Sequence, residues 1–574
     1  MHTVETVLLV LMLGALTGIA ARYVRAIPLP LIQIALGALI AWPQDGLHIA
    51  FDPELFLLLF IPPLLFADGW RIPKREFFAL AKPILLLAFG LVFITVFGLG
   101  YLIHWMIPSI PLTVAFALAA VVSPTDAVAV SAISRNLGMP SKTMHLLEGE
   151  SLLNDASGLV ALKFAVAATL TAGSFSWENA AKDFTWMSVG GLGLGALMGW
   201  GFSRGRDMVT RRVGDVAATQ MVLLLILLPF ASYIMGEYIG VSGILSAVAA
   251  GIATNFADLD RSNFISERLQ TEGTWSMVEA AFNGAIFLLL GLQLPSIIGE
   301  TLRGAAHRDV WLLLGYVAAI SCALLALRWA WLMLGVRSSL HKAHRQGRMV
   351  ERPSALLTLA TTVAGIRGAV TLAAALSIPT HLANGRVFPE RNLLIFLATG
   401  TILFTLVLGS IVLPLLLRRI PPVEDTQAQH EERLARTAAC QAAIASLALP
   451  EDQAQQHSAQ WLAQHQEVAG SITQEYRNRI QLLDESGVAN TPEAQSDSPE
   501  VVHERRLRYL REIELRLHCI QVERNTLYAE RQAHRINDEM LRAMVSELDM
   551  SEVSLRKRLA VARRAVGLPP LEGH

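Results

Sequence analysis

Residues 112–137 read LTVAFALAAVVSPTDAVAVSAISRNL. The stretch is long and apolar enough to cross a bilayer, which takes about 20 residues of helix. Yet Ser123, Pro124, Thr125 and Asp126 stand in its middle. Proline has no N–H to donate and its ring clashes with the carbonyl four residues back, so the helix is expected to open here and leave carbonyls free. A carboxylate in hydrocarbon is costly unless it faces protein or water. Asp126 therefore marks a polar centre, placed either to bind there or to cap the second half-helix. The stretch predicts a broken membrane helix rather than a plain anchor.

Working outward, apolar segments recur along the first 420 residues. They fall near 6–20, 28–43, 54–67, 84–107, 112–137, 144–170, 184–202, 213–237, 239–257, 276–297, 309–335, 354–379 and 392–418. Over the whole chain 53% of residues are hydrophobic and only 17% charged, with a mean hydropathy of +0.45. Beyond Arg418 the chain is polar. The expected fold is an all-α polytopic membrane protein with about 13 transmembrane helices over residues 1–420 and a mostly helical cytoplasmic tail over 421–574. The first segment has no basic flank or small-residue cleavage site, so it is expected to stay as a span.

Lys and Arg test the count. One set of alternate connections holds 19, including Arg71, Lys74, Arg204 and Arg345, and the other set holds five: Lys182, Arg303, Arg308, Arg386 and Arg391. Basic residues stay preferentially cytoplasmic. The amino terminus is thus expected in the periplasm of a bacterial inner membrane, and the tail in the cytoplasm. An odd number of spans also allows two inverted six-helix repeats around the seventh. Span five would then match span twelve, where Ala364-Gly365-Ile366-Arg367-Gly368 supplies a second break. Broken helices at matching places in two repeats are the usual pointer to a transporter's site.

The sixth span opens with Glu148-Gly149-Glu150-Ser151-Leu152-Leu153-Asn154-Asp155. Glu150 and Asn154 share a helical face, as do Ser151 and Asp155. These are hard oxygen ligands that suit a small alkali cation or a proton. Asp155 is the deeper carboxylate and the candidate exchanging group, because one carboxylate can hold either a proton or a cation. Arg367, always charged, needs a carboxylate when buried, and Glu150 or Asp126 could supply it. Lys163 could pair internally or snorkel. Arg328 lies near enough to the inner end of its span to snorkel, and Pro62-Pro63 predict a kink in the third.

These residues carry a resemblance to the monovalent cation:proton antiporter-1 family of NhaP-type and NHE-type exchangers. The matching runs are Pro62 to Phe66, Ser123 to Val128, Glu148 to Asp155, Asn283 to Gly291 and Gly365 to Gly368. The resemblance implies Asp155 as the essential ion and proton site, with Asn154 beside it. It implies Thr125, Asp126, Glu150 and Ser151 around the cation, and Arg367 paired with Glu150. It further implies electroneutral exchange of Na+ (or Li+) for H+, a homodimer, and an elevator-like core of spans four to six and eleven to thirteen. A K+/H+ or mixed Na+/K+ exchanger is the alternative within the same mechanism, and a cation channel a more distant one.

Other classes find less support. A channel should show rings of carbonyls or charges along a pore, whereas the polar groups here converge on two breaks. No nucleophile–base pair, metal-spaced histidines or phosphate loop suggests an enzyme. Cys322, Cys440 and Cys519 have no paired spacing. No cofactor and no nucleic-acid partner is implied, and the expected partners are the transported ions, membrane lipid and a second copy. In the tail, residues 501–548 are predicted to form one amphipathic helix, with a spacing that also suits a coiled coil between protomers. Its basic runs, Arg505-Arg506 and Arg556 to Arg564, suit a solvated face or anionic lipid.

Overall fold

The computed structural model describes residues 2–21, 23, 27–42, 53–134, 137, 139–170, 177–213, 218–257, 265–304, 310–346, 354–381, 387–420, 426–447, 459–483, 499–532 and 538–565. The helices of the first compact unit, Met1–Val423, run in this order. They are α1 (His2–Ala20), α2 (Leu29–Ala41), α3 (Pro53–Arg71), α4 (Lys74–Ala79), α5 (Ala81–Met106), α6 (Leu112–Val121), α7 (Ala127–Ser134) and α8 (Ser141–Leu170). There follow α9 (Trp177–Val213), α10 (Ala218–Ile239), α11 (Gly243–Ala257), α12 (Ile265–Gly304), α13 (Val310–Arg345), α14 (Ala355–Val363), α15 (Ala369–Leu376) and α16 (Arg391–Leu417). Helices or helix pairs occupy all thirteen expected positions. Six described helices are long and apolar enough to cross a membrane, and four more are apolar but shorter.

Both expected breaks are present. Residues 122–126 separate α6 from α7, and 364–368 separate α14 from α15. The Pro62–Pro63 pair behaves differently from expectation, because both prolines lie inside the continuous helix α3. They are buried among neighbouring helices, an environment in which membrane helices tolerate proline. In α5 the segment Leu86–Leu91 is a π-helix, a local widening that often marks a functional place.

Packing follows the logic of helices in lipid, where close contact and internal polar bonds replace the hydrophobic drive. The main buried cluster joins Leu99, Ile103 and Ile110 to Val114, Ala117 and Leu118, and reaches Leu394 and Leu397. Large apolar side chains also remain on the outside, among them Phe93, Leu223, Leu312 and Leu415, as the outer surface of a bilayer-embedded bundle requires.

The second unit, Glu424–His574, holds α17 (Thr426–Ser446), α18 (Ala459–Leu483), α19 (Pro499–Gln532) and α20 (Asp538–Ala565). The single helix expected over 501–548 is instead two. Leu510 and Ile513 of α19 bury against Leu559 and Ala562 of α20, while Arg524 meets Asp549 and Glu552. The pairing is antiparallel, an intramolecular hairpin that consumes part of the apolar stripe read as a coiled-coil seam.

Candidate functional site

The two breaks are bonded to each other. The Asp126 backbone N–H donates to the Ile366 carbonyl at 2.7 Å. In return the Arg367 Nε–H donates to the Val122 carbonyl at 2.9 Å. Arg367 Nη1 also donates to the Gly365 carbonyl, and its backbone N–H to Thr405 Oγ1 at 3.2 Å. Val122 and Gly365 follow the C-terminal ends of α6 and α14, where carbonyls lack intrahelical partners and carry partial negative charge. One guanidinium thus satisfies both ends. Asp126 does the complementary work at the start of α7, its Oδ1 accepting the Ala129 N–H at 3.0 Å. Gly368 permits the close crossing, because a Cβ there would collide with the Asp126 carboxyl group.

Helix α8 lies against the first break and is stitched to it. Ser151 Oγ donates to the Thr125 carbonyl at 2.7 Å and accepts the Ala127 N–H at 3.3 Å. Asn154 Nδ2 donates to Thr125 Oγ1 at 2.8 Å. One turn on, Ser157 Oγ donates at 2.7 Å to the carbonyl of Ala88, inside the π-helical segment of α5. The approach is close enough that a Cβ at Gly158 would meet Pro124 Cδ at 3.0 Å.

Asp155 sits within this frame, 7% exposed. Among the described residues it makes no hydrogen bond or ion pair, while the carboxylates of Asp126 and Asp68 act on it electrostatically. The neighbouring Asn154 Oδ1 is buried and has no hydrogen-bond partner among the described residues. A buried carboxylate beside an unsatisfied amide oxygen, with other carboxylates near and no cation in contact, requires either a proton or a bound cation.

The expected partner of Arg367 is elsewhere. Glu150 is 1% exposed and both its oxygens face Arg328, Nη2 donating to Oε2 at 2.8 Å and Nη1 to Oε1. Arg328 is also only 1% exposed, and its Nε–H donates to the Thr361 carbonyl at 3.2 Å. It does not snorkel. The reason is geometric: the Arg328 side chain passes along Gly365, where the missing Cβ opens a route to the interior, and Arg367 is already occupied by backbone carbonyls. Lys163 pairs with Glu237 at 3.0 Å. Glu279 of α12 pairs with Arg71 of α3.

Residues 8–419 match the family model described as sodium/hydrogen exchanger, transmembrane. The chain belongs to that family. The exchanger is 42% identical, over 96% of its length and 98% of the relative's, to the Escherichia coli (strain K12) protein described as uncharacterized Na(+)/H(+) exchanger YjcE. It is 47% identical to the sodium, potassium, lithium and rubidium/H(+) antiporter of Bacillus pumilus (strain SAFR-032), over 74% of this chain and 64% of that one. It thus spans just under two thirds of that relative. In structure the exchanger resembles the sodium proton antiporter MjNhaP1 from Methanocaldococcus jannaschii, with a TM-score of 0.56 at 16% identity. That likeness covers 73% of this chain and 99% of the other and concerns the fold. As a member of this family the exchanger is a multi-pass membrane protein of monovalent cation/proton antiport.

The structure brings Thr125, Asp126, Ser151, Asn154 and Asp155 together at the crossing, with Arg367 bonded across it. Glu150 lies on the same helix but is engaged by Arg328. Thr405, Ser157, Gly158 and Thr361 had no sequence signal of their own, since small hydroxyl residues and glycines are common in membrane helices. Arg328 did have one: a charge within an apolar segment.

Proposed function

We propose that the exchanger moves Na+, and Li+ with it, against H+ by alternating access, with Asp155 holding the proton and the cation in competition. The observation that carries this reading is the unpaired, buried carboxylate of Asp155 at the crossing of two broken helices. Deprotonated, it attracts a dehydrated cation, for which Asn154 Oδ1 is the free neighbouring oxygen, with Thr125 and Asp126 beside it. Protonated, it has no further claim on the cation. Because only one occupant fits at a time, exchange follows without a separate coupling device, and one charge against one charge makes it electroneutral. Ser151 and Arg367 hold the crossing in shape, and Glu150 with Arg328 supports it from behind. The protein performs no covalent chemistry in this reading.

The Bacillus relative's name specifically favours a second reading of selectivity, in which K+ and Rb+ are carried as well. Orientation enters the same proposal. Trp105, Trp186, Tyr238 and Trp311 are exposed, and lie at ends of α5, α9, α10 and α13 that the expected alternation puts on one side. Aromatic rings favour such an interface, and the basic connections fall on the opposite, cytoplasmic side.

The test is proton flux in proteoliposomes after addition of NaCl, LiCl, KCl, RbCl or choline chloride, comparing wild type with Asp155→Asn. Dequenching by Na+ and Li+ that vanishes in the variant and is indifferent to a voltage clamp is expected. Equal responses to K+ and Rb+ would favour the broader selectivity. An unchanged flux in Asp155→Asn would end the assignment of Asp155.

A further inference from the structure

The hairpin of the second unit leaves one helix face uncovered. Leu555, Leu559 and Ala562 of α20 point to α19. On the other side, helical spacing brings Met550, Val553, Lys557, Val561 and Arg564 into one stripe. All five are exposed, Met550 at 64%, Val553 at 54% and Val561 at 40%. No acidic residue occurs from Val553 to Ala565, whereas Arg556, Lys557, Arg558, Arg563 and Arg564 do. The last acid before them, Glu552, is turned toward Arg524 and Arg556. Neither Lys557 nor Arg564 has an ion-pair partner among the described residues.

The opposite end of the hairpin has the reverse character. There α20 carries Glu547, Asp549 and Glu552 within six residues, the last two meeting Arg524 of α19. Charge is therefore polarised along α20, acidic over Glu547–Glu552 and basic over Arg556–Arg564. A stripe of medium-sized apolar side chains interleaved with cations, on a helix whose other face is packed, matches a helix lying at a lipid interface. Its charge complements anionic headgroups. The tail is covalently joined to a membrane-embedded unit, so even a weak attachment to the bilayer is favoured by the high local concentration of lipid.

We infer that the Met550–Arg564 face of α20 docks on the bilayer surface through anionic phospholipid headgroups, with Val553 and Val561 entering the interface and Lys557 and Arg564 meeting the phosphates. This anchors the hairpin by its basic end and leaves the acidic end in water. It stands independently of which cation the first unit carries.

The experiment uses full-length exchanger with Cys322, Cys440 and Cys519 replaced by Ala, and Val561→Cys carrying an environment-sensitive fluorophore. The protein is placed in nanodiscs of phosphatidylcholine alone or with phosphatidylglycerol. The expected result is an emission shift to shorter wavelength only with phosphatidylglycerol, reversed by added salt, which screens surface charge. The shift is lost in Lys557→Glu/Arg564→Glu, with hydrogen exchange of α19 and α20 used to confirm that the hairpin persists. Emission that is the same in both discs overturns the inference. So does a shifted emission that ignores salt and charge reversal, which would mean that a second copy or another protein segment covers the face. The salt comparison needs no charge variant, so it decides the matter even if the reversed protein misfolds.

Discussion

Arg328 and Glu150 form an ion pair buried from solvent in the interior of the membrane unit, each 1% exposed. Removing one partner leaves the other charge stranded where neither water nor lipid can solvate it, a change that costs about 3–5 kcal/mol. Arg328→Met is therefore expected to lower the melting temperature of the purified exchanger markedly. Glu150→Gln combined with Arg328→Met removes both charges and should recover much of that loss. If Arg328→Met alone melts like wild type, Glu150 has another partner in solution, Arg367 being the obvious one.

Thr125 provides a second, local test. Its hydroxyl accepts the amide of Asn154, while its carbonyl is separately held by Ser151. Thr125→Val removes the first bond and keeps the second. An unsatisfied buried amide costs about 1–3 kcal/mol, and here it also frees Asn154 to rotate. The cation concentration for half-maximal exchange is expected to rise about tenfold for each 1.4 kcal/mol carried into binding. Thr125→Ser, which keeps the hydroxyl, should stay near wild type. Equal behaviour of the two variants would show that the Asn154 contact contributes nothing to binding.

Gly368 tests the crossing itself. A methyl group there must displace the Asp126 carboxyl group or push α15 away from α7. The predicted outcome for Gly368→Ala is a folded protein with strongly reduced flux for every cation, because the shared frame shifts and not one ligand. Cation-dependent proton flux beside a thermal melt separates the two effects. A variant with full flux would mean that the crossing relaxes without harm to the site.

These residues also show which features a sequence can disclose. Pro124 and the Gly365–Gly368 pair point to the breaks because proline removes a helix hydrogen bond and glycine leaves the helix at little cost, although Pro62 and Pro63 inside the continuous α3 show that the packing around such residues decides the outcome. Asp155 and Asn154 stand out because polar groups are costly in an apolar segment. The direction of a long side chain is different. Hydropathy places Arg328 in its helix but cannot say whether it turns to the interface or inward. That depends on Gly365, a residue distant in sequence, and on the backbone carbonyls already holding Arg367. The tail fails for a related reason: α19 has the stripe of a coiled coil, and its partner proves to be α20 of the same chain. Only the three-dimensional pairing of Leu510 and Ile513 with Leu559 and Ala562 decides between the two.

That hairpin should respond to acid. The Arg524 and Arg556 side chains, hydrogen-bonded to Glu552, hold its carboxyl below the ordinary value of 4.5. A carboxylate whose pKa is lowered by folding stabilises the folded form above the unfolded pKa, and that contribution disappears as pH falls through the lower, folded value. The hairpin is thus expected to be indifferent to pH between neutrality and about 5, and to loosen as the pH drops through 4.5 and below. The pair is partly exposed, so the effect is modest and weakened by salt. Hydrogen exchange of α19 and α20 in the full-length exchanger, corrected for the intrinsic pH dependence of amide exchange, reads it directly. Protection should fall on acidification in wild type. In Glu552→Gln it should already be lower at neutral pH and change less with acid. If wild type and Glu552→Gln lose protection in parallel, the acid response comes from another group, with Asp549 on the same arginine the next to substitute.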